Sequence, residues 1–135
     1  MTTGISTYAG AAFESRAYTA ASARELVSEF LEHLDSAAAL TVTAEALGAA
    51  RLVVTELVTN AIKYAAGPCV LELELTGDAL TISVWDTDPG LPAPTRPDAT
   101  RPTRHGLEIV QALCREVTVE QLAGGKRVRA RLALA

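Results

Sequence analysis

The most apolar stretch of the chain, TAEALGAARLVVTELVTNAIKYA, contains Glu56, Asn60 and Lys63 among its few polar positions. At about 100° per residue, Asn60 lies about 40° to one side of Glu56 and Lys63 about 20° to the other, so a helix presents all three on one narrow stripe. A carboxylate and an amide aimed into a cleft can take a proton and hold a hydrated cation through the amide oxygen. On a solvent edge the same stripe is only an i,i+4 pair contributing roughly a few tenths of a kcal/mol. Three further segments carry comparable groups. SVWDTDPGLP places Asp86 where a strand leaves its sheet, followed by Asp88, Pro89 and Gly90, although Asp-Pro-Gly is also ordinary turn chemistry. RHGLEIV sets Gly106 at the mouth of a helix, where unpaired backbone N–H groups and the positive dipole end suit a phosphate. GGKRVRARL is a hairpin strand whose basic residues decorate a face.

The elements that must position these groups follow from periodicity. In TAASARELVSEFLEHL, Thr19 is a candidate N-cap and Ala23, Leu26, Val27, Phe30, Leu31 and Leu34 recur at helical spacing, which predicts an amphipathic helix. ISTYAGAAF before it alternates weakly, as an edge strand does, and residues 35–41 form a connector. The second helix starts from a Thr43 cap, ends by Gly67-Pro68, and is apolar on most sides, as a buried helix is. CVLELELT and LTISVWDT alternate with period two about a Gly77-Asp78 turn, a hairpin signature in which Glu72 and Glu74 mark the solvated face.

Residues 88–103, DPGLPAPTRPDATRPT, hold five of the six prolines and no periodicity. A structureless loop above about 12–15 residues is usually functional or disordered. A helix over about 105–115 follows, then EVTVEQL and KRVRARLAL as a second hairpin around Gly124-Gly125. The order β-α-α-β-β-loop-α-β-β predicts one α+β domain spanning 1–135. Its architecture is a two-layer α/β sandwich, with a mixed, mainly antiparallel sheet covered on one face by three helices.

Composition bounds the function. Hydrophobic residues make up 49% of the 135, but 25 are Ala and six are aromatic, which excludes an aromatic stacking platform for single-stranded nucleic acid. No apolar run approaches the roughly 20 residues that span a bilayer, and MTTGISTYAG lacks a basic segment followed by an apolar one, so the expectation is a cytoplasmic chain without a membrane role. Cys69 and Cys114 form no CxxC and have only His33 and His105 to join them, so they read as small buried apolar side chains rather than a disulfide or zinc site. The net charge of −4 hides a division: residues 1–95 hold twelve acids against four bases, and residues 96–135 hold eight bases against four acids. Arg96, Arg101 and Arg104 fall in or beside the Pro-rich loop. Alternation puts Arg127, Arg129 and Arg131 opposite Val128, Ala130 and Leu132, on the solvated side of the sheet.

Taken in order, ELVTNAIKYA, VWDTDPGLP and RHGLEIV resemble the N-box and the two glycine boxes of the GHKL-type ATPase superfamily. By motif the resemblance spans residues 51–110, and the flanking elements fit from about residue 5 to the end. The short chain is most similar to the stand-alone anti-sigma factor serine/threonine protein kinases. The resemblance implies the histidine-kinase-like ATPase fold and the cofactors ATP and Mg²⁺. It also implies that Asn60 coordinates the metal and that Glu56 acts as general base toward a Ser hydroxyl. Asp86 would bind the adenine amino group, and Gly90 would let the backbone pass close to the base. Gly106 and Leu107, with His105 beside them, would present the lid-end helix to the phosphates, where Lys63 or Arg104 adds charge.

Two positions depart from the family pattern. Asp88 replaces the first glycine of the first box, and Arg104 the first glycine of the second, which implies a reshaped nucleotide site. The implied partners are a sigma factor and an anti-anti-sigma (STAS-type) protein, with a homodimer built through the N-terminal strand or first helix. The alternative is a non-catalytic ATP-binding or regulatory module of the same fold. A detached histidine-kinase ATPase domain is disfavoured, because no phosphoacceptor domain is attached and His33 lacks a supporting motif.

Overall fold

The computed structural model describes residues 7–14, 19–37, 41–64, 68–87 and 102–134. Eight elements follow in order: β1 (Tyr8–Phe13), α1 (Thr19–Ala37), α2 (Ala44–Tyr64), β2 (Cys69–Thr76), β3 (Ala79–Asp86), α3 (Pro102–Leu113), β4 (Glu116–Leu122) and β5 (Gly125–Ala133). The strands form one sheet in the order β1-β2-β3-β5-β4, and every pairing is antiparallel. The expected two-layer α+β sandwich is therefore present, without a parallel component in the described sheet.

The amphipathic patterns bury the faces they should. On α1, Ala23, Val27, Phe30, Leu31 and Leu34 are buried; on α2, Ala46, Ala50, Val53, Val54, Leu57, Val58 and Ala61. These meet the inward residues of the central strands, Leu71 and Leu73, Leu80, Ile82 and Val84, and Val128, Ala130 and Leu132, to form one core. α2 touches both other helices and the three central strands. Thr43 caps it, accepting from the Ala46 N–H through Oγ1 at 3.1 Å and from the Leu47 N–H through its carbonyl at 3.0 Å. A polar seam joins α1 to α2: Arg24 donates to Thr55 Oγ1 at 3.1 Å, and Arg51 donates to Ser28.

Boundaries shift in three places. α1 runs to Ala37, into the expected connector, because Asp35, Ser36 and Ala37 contain no helix breaker; Ser36 Oγ donates back to the Glu32 carbonyl at 3.0 Å. α3 covers Pro102–Leu113 rather than 105–115. Its first residue is a proline, whose fixed φ and missing N–H suit the first helical position. β5 starts at Gly125, and the two hairpin turns use Gly77 (φ 64°) and Gly124 (φ 84°), where a side chain would be strained.

The fold has two ends along the strand direction. At one, the Thr43 N–H donates to the Leu134 carbonyl at 3.2 Å, the Leu134 N–H donates to the Asp78 carbonyl at 3.3 Å, and Arg115 bridges to Asp78 at 3.3 Å. The Arg115 hydrogen bond holds the Asp78 carboxyl below its usual range. α2 starts and α3 finishes at this end. The C-terminal third of α2, the first residues of β2, the last of β3, the first of β5 and the N-terminus of α3 therefore lie at the other.

Candidate functional site

At that second end the sequence-predicted residues divide into those the structure brings together and those it leaves outside. Glu56 and Asn60 are half-buried on α2 and Lys63 is exposed in its last turn. Asn60 lies about 140° round the helix from Thr55, which faces α1. Its Oδ1 is buried and, among the described residues, has no hydrogen-bond partner. An unpaired buried amide oxygen costs about 1–3 kcal/mol, so this position favours a donor or a cation that completes it. Mg²⁺ takes hard oxygen ligands and commonly uses one or two protein groups beside substrate phosphates, which the Asn60 oxygen fits.

Asp86 ends β3 on the helix-covered face, because it follows Leu80, Ile82 and Val84 in the inward phase of the strand. It retains 8% of its exposure. Opposite it in register stands Lys126, whose Nζ lies 2.9 Å from Oδ2 and 3.1 Å from Oδ1. Lys126 is itself 6% exposed. In the sequence this lysine belongs to the basic run of the last hairpin, yet the alternation that sends Arg127, Arg129 and Arg131 outward sends Lys126 inward with Val128. That phase was the available signal. Gly125 makes the contact possible: a Cβ there would lie 1.9 Å from the Asp86 carbonyl oxygen. Cys69, at the start of β2, is buried beside this pair, and burial followed by the Asp86 charge raises its thiol pKa. Cys114 is half-buried instead of buried, and desolvation pushes it up to about 11.

Asp88 and Gly90 lie outside the described residues, as does most of the Pro-rich loop with Arg96 and Arg101. Arg104, His105 and Gly106 belong to the first turns of α3, and Leu107 is half-buried. Gly106 is the fifth residue of the helix rather than its mouth. The N–H of the fourth helical residue already bonds to the carbonyl of the residue before the helix, as Leu47 does to Thr43 in α2, so the N–H groups without a partner inside the helix are those of Thr103 and Arg104. The helix start still points toward the Asp86 end.

The uncovered face of the sheet is a separate place. A broad concavity of about 590 Å³ there is lined by residues including Glu72, Glu74, Trp85, Arg127, Arg129 and Arg131. Several of its groups pair with one another: Tyr8 Oη and Trp85 Nε1 donate to Glu72, Arg127 pairs with Glu120, and the Arg127 guanidinium sits 4.7 Å from the Trp85 ring centre, while Arg127 Nε is buried without a hydrogen-bond partner among the described residues. The bond to Glu72 raises the Tyr8 pKa. Arg129 and Arg131 are exposed, as alternation predicts, whereas Arg127 is half-buried over Trp85. No helix among the described residues is long and apolar enough to cross a membrane.

The sequence model of the histidine kinase-like ATPase domain matches residues 16–132. Among solved structures, the RsbU and RsbW domains of Rv1364c from Mycobacterium tuberculosis superpose with a TM-score of 0.70 at 18% identity, covering 96% of this chain and 32% of that one. The histidine kinase domain of the blue-light activated histidine kinase from Erythrobacter litoralis is similar at TM-score 0.52 and 25% identity, covering 85% of this chain and 60% of that one. The histidine kinase AdeS of Acinetobacter baumannii gives a TM-score of 0.50 at 16% identity, covering 93% and 68%. The chain thus spans about a third of the first of these structures and 60% of the second. No curated protein sequence matches it.

Proposed function

The chain belongs to the histidine kinase-like ATPase domain family, and from that premise we propose that it is an ATP-binding serine protein kinase acting as an anti-sigma factor. The observation that carries the reading is the Asn60 amide oxygen, buried and unpartnered on the stripe that also carries Glu56. Mg²⁺, when bound there, neutralises phosphate charge and fixes the orientation of the phosphates. The residues of the chain do the rest. Asp86 accepts a hydrogen bond from the base, the α3 start directs its unpaired N–H groups at the phosphates, and Lys63 and Arg104 add positive charge. Glu56 accepts the proton of a Ser hydroxyl as its oxygen takes the γ-phosphoryl group and ADP leaves. That Ser belongs to an anti-anti-sigma (STAS-type) partner. Its phosphorylation lets the kinase, acting as a cytoplasmic homodimer, keep hold of a sigma factor.

The alternative is a regulatory module that binds nucleotide without transfer, which the Asp88 and Arg104 departures favour. Two measurements separate the readings. Millimolar Mg·ATP raises the melting temperature of the wild type, and Asp86→Asn abolishes the shift whatever its own starting stability; a wild type indifferent to Mg·ATP removes the nucleotide site. Glu56→Gln keeps the shift but loses phosphotransfer to a STAS domain. If the wild type labels no such domain, the binding-module reading stands.

A further inference from the structure

The sheet face away from the helices carries its charges in an order that the strand arrangement makes symmetric. β3 is the middle strand, with β2 on one side and β5 on the other. Register sets Glu72, Ser83 and Arg129 in one row across these strands, and Glu74, Thr81 and Arg131 in the next. All of them line the concavity of about 590 Å³. Ser83 is buried and Thr81 half-buried, so β3 is a low floor between an acidic ridge and a basic one. Tyr8 and Trp85 hold Glu72 in place. Glu74, Arg129 and Arg131 are exposed and make no hydrogen bond or ion pair among the described residues.

A face of this kind is its own complement. Neighbouring strands lie about 4.8 Å apart, so the two ridges stand at equal distances from β3. A twofold axis along β3, between two facing sheets, exchanges β2 with β5 and leaves each row opposite itself. Glu74 then meets Arg131 of the partner subunit, and Glu72 meets Arg129 of the partner subunit. The usual angle of about 30° between stacked sheets displaces the facing ridges by about 2.5 Å, less than one residue. An axis across the strands would instead set acid on acid and base on base, which opposes association. Resting on the homodimer in the reading above, we propose that two copies of this chain join through this face about an axis along β3, in place of the N-terminal strand or first helix that the family resemblance implies. A twofold contact needs only such a self-matching patch. Strand spacing and rise make the face about 24 Å by about 20 Å, so the pair buries roughly 1,000 Å², the size of a weak, reversible interface. Its ion pairs set orientation more than affinity.

Sedimentation equilibrium of the whole chain tests this. The wild type is expected to dimerise with a Kd of about 1–100 µM, weakening at least about threefold as NaCl rises from about 0.05 to about 0.5 M. Glu74→Arg and Arg131→Glu each weaken self-association at least about tenfold, whereas Glu45→Arg, an exposed reversal in the first turn of α2, leaves it unchanged. Mixing the first two variants restores a dimer to within about threefold of the wild type, because opposite charges then meet at both contacts. A salt-insensitive wild-type dimer, folded reversals without effect, an equal loss in Glu45→Arg, or folded variants that fail to pair when mixed overturns this interface and leaves the homodimer reading in place. A wild type that stays monomeric at about 500 µM overturns both. The salt response of the wild type decides even where a variant does not fold.

Discussion

Asn60 carries a tension between stability and use. Its buried oxygen is unpaired, and a cost of about 1–3 kcal/mol at such a group is tolerated where a ligand completes it. Asn60→Leu, close in size, removes that cost. Without ligand, its melting temperature is expected to equal or exceed the wild type, while Mg²⁺ no longer changes nucleotide affinity. A clear fall in ligand-free stability, measured by scanning calorimetry, would assign the amide a structural role instead. Cys114 gives a second residue-level prediction. Its thiol is raised from 9.0 to about 11 by desolvation, so the folded state binds its proton more tightly than the unfolded one. Stability from this source is fully present below pH 9 and is lost as pH rises toward about 11. Urea titrations of Cys114→Ala across that window should show a shallower alkaline decline than the wild type. The Glu56–Asn60 stripe was legible because a carboxylate and an amide one turn apart on a largely apolar helix leave a periodic signature. Lys126 was not, because a lysine on a basic hairpin reads as a surface residue until its phase is followed against Val128.

At the scale of elements, helix starts and strand approaches carry the geometry of the site. The Thr43 cap joins the start of α2 to its first turn through Oγ1 at 3.1 Å. Thr43→Ala is expected to cost about 1 kcal/mol in urea unfolding, without altering nucleotide affinity, since the site lies at the far end of the helix. Gly125→Ala acts differently. The added carbon would meet the Asp86 carbonyl oxygen at 1.9 Å, so the backbone must part. The expected cost is about 1–3 kcal/mol, and the loss of nucleotide binding exceeds that of Thr43→Ala. Both hairpins and both long helices were legible because period-two and helical spacings repeat along them, and the edge strand β1 showed as a weaker alternation over a shorter run. The start of α3 was not. Pro102 closes a Pro-rich run and reads as loop, yet proline at the first helical position costs nothing, so helix extends back to include Thr103, Arg104 and His105.

At the scale of the whole molecule, one core couples all of these parts. The buried residues of α1, α2, α3 and the central strands form a single cluster on one face of the sheet, and the candidate site proposed above takes Asn60 from α2 and Asp86, paired with Lys126 of β5, from β3. Local loss of the site therefore requires breaking the elements that make the core, and a ligand bound there stabilises the entire unit. Leu57, 2% exposed on α2, tests this. Leu57→Ala should cost about 2–5 kcal/mol by leaving a cavity, in a single cooperative transition with an unchanged urea slope. Mg·ATP at about 100 times its Kd should then return about 2.7 kcal/mol to the variant, the same increment it adds to the wild type. Equal increments mean that core and site unfold together. A smaller increment in Leu57→Ala, or a ligand-free transition that splits in two, would show that the site end melts independently of the core.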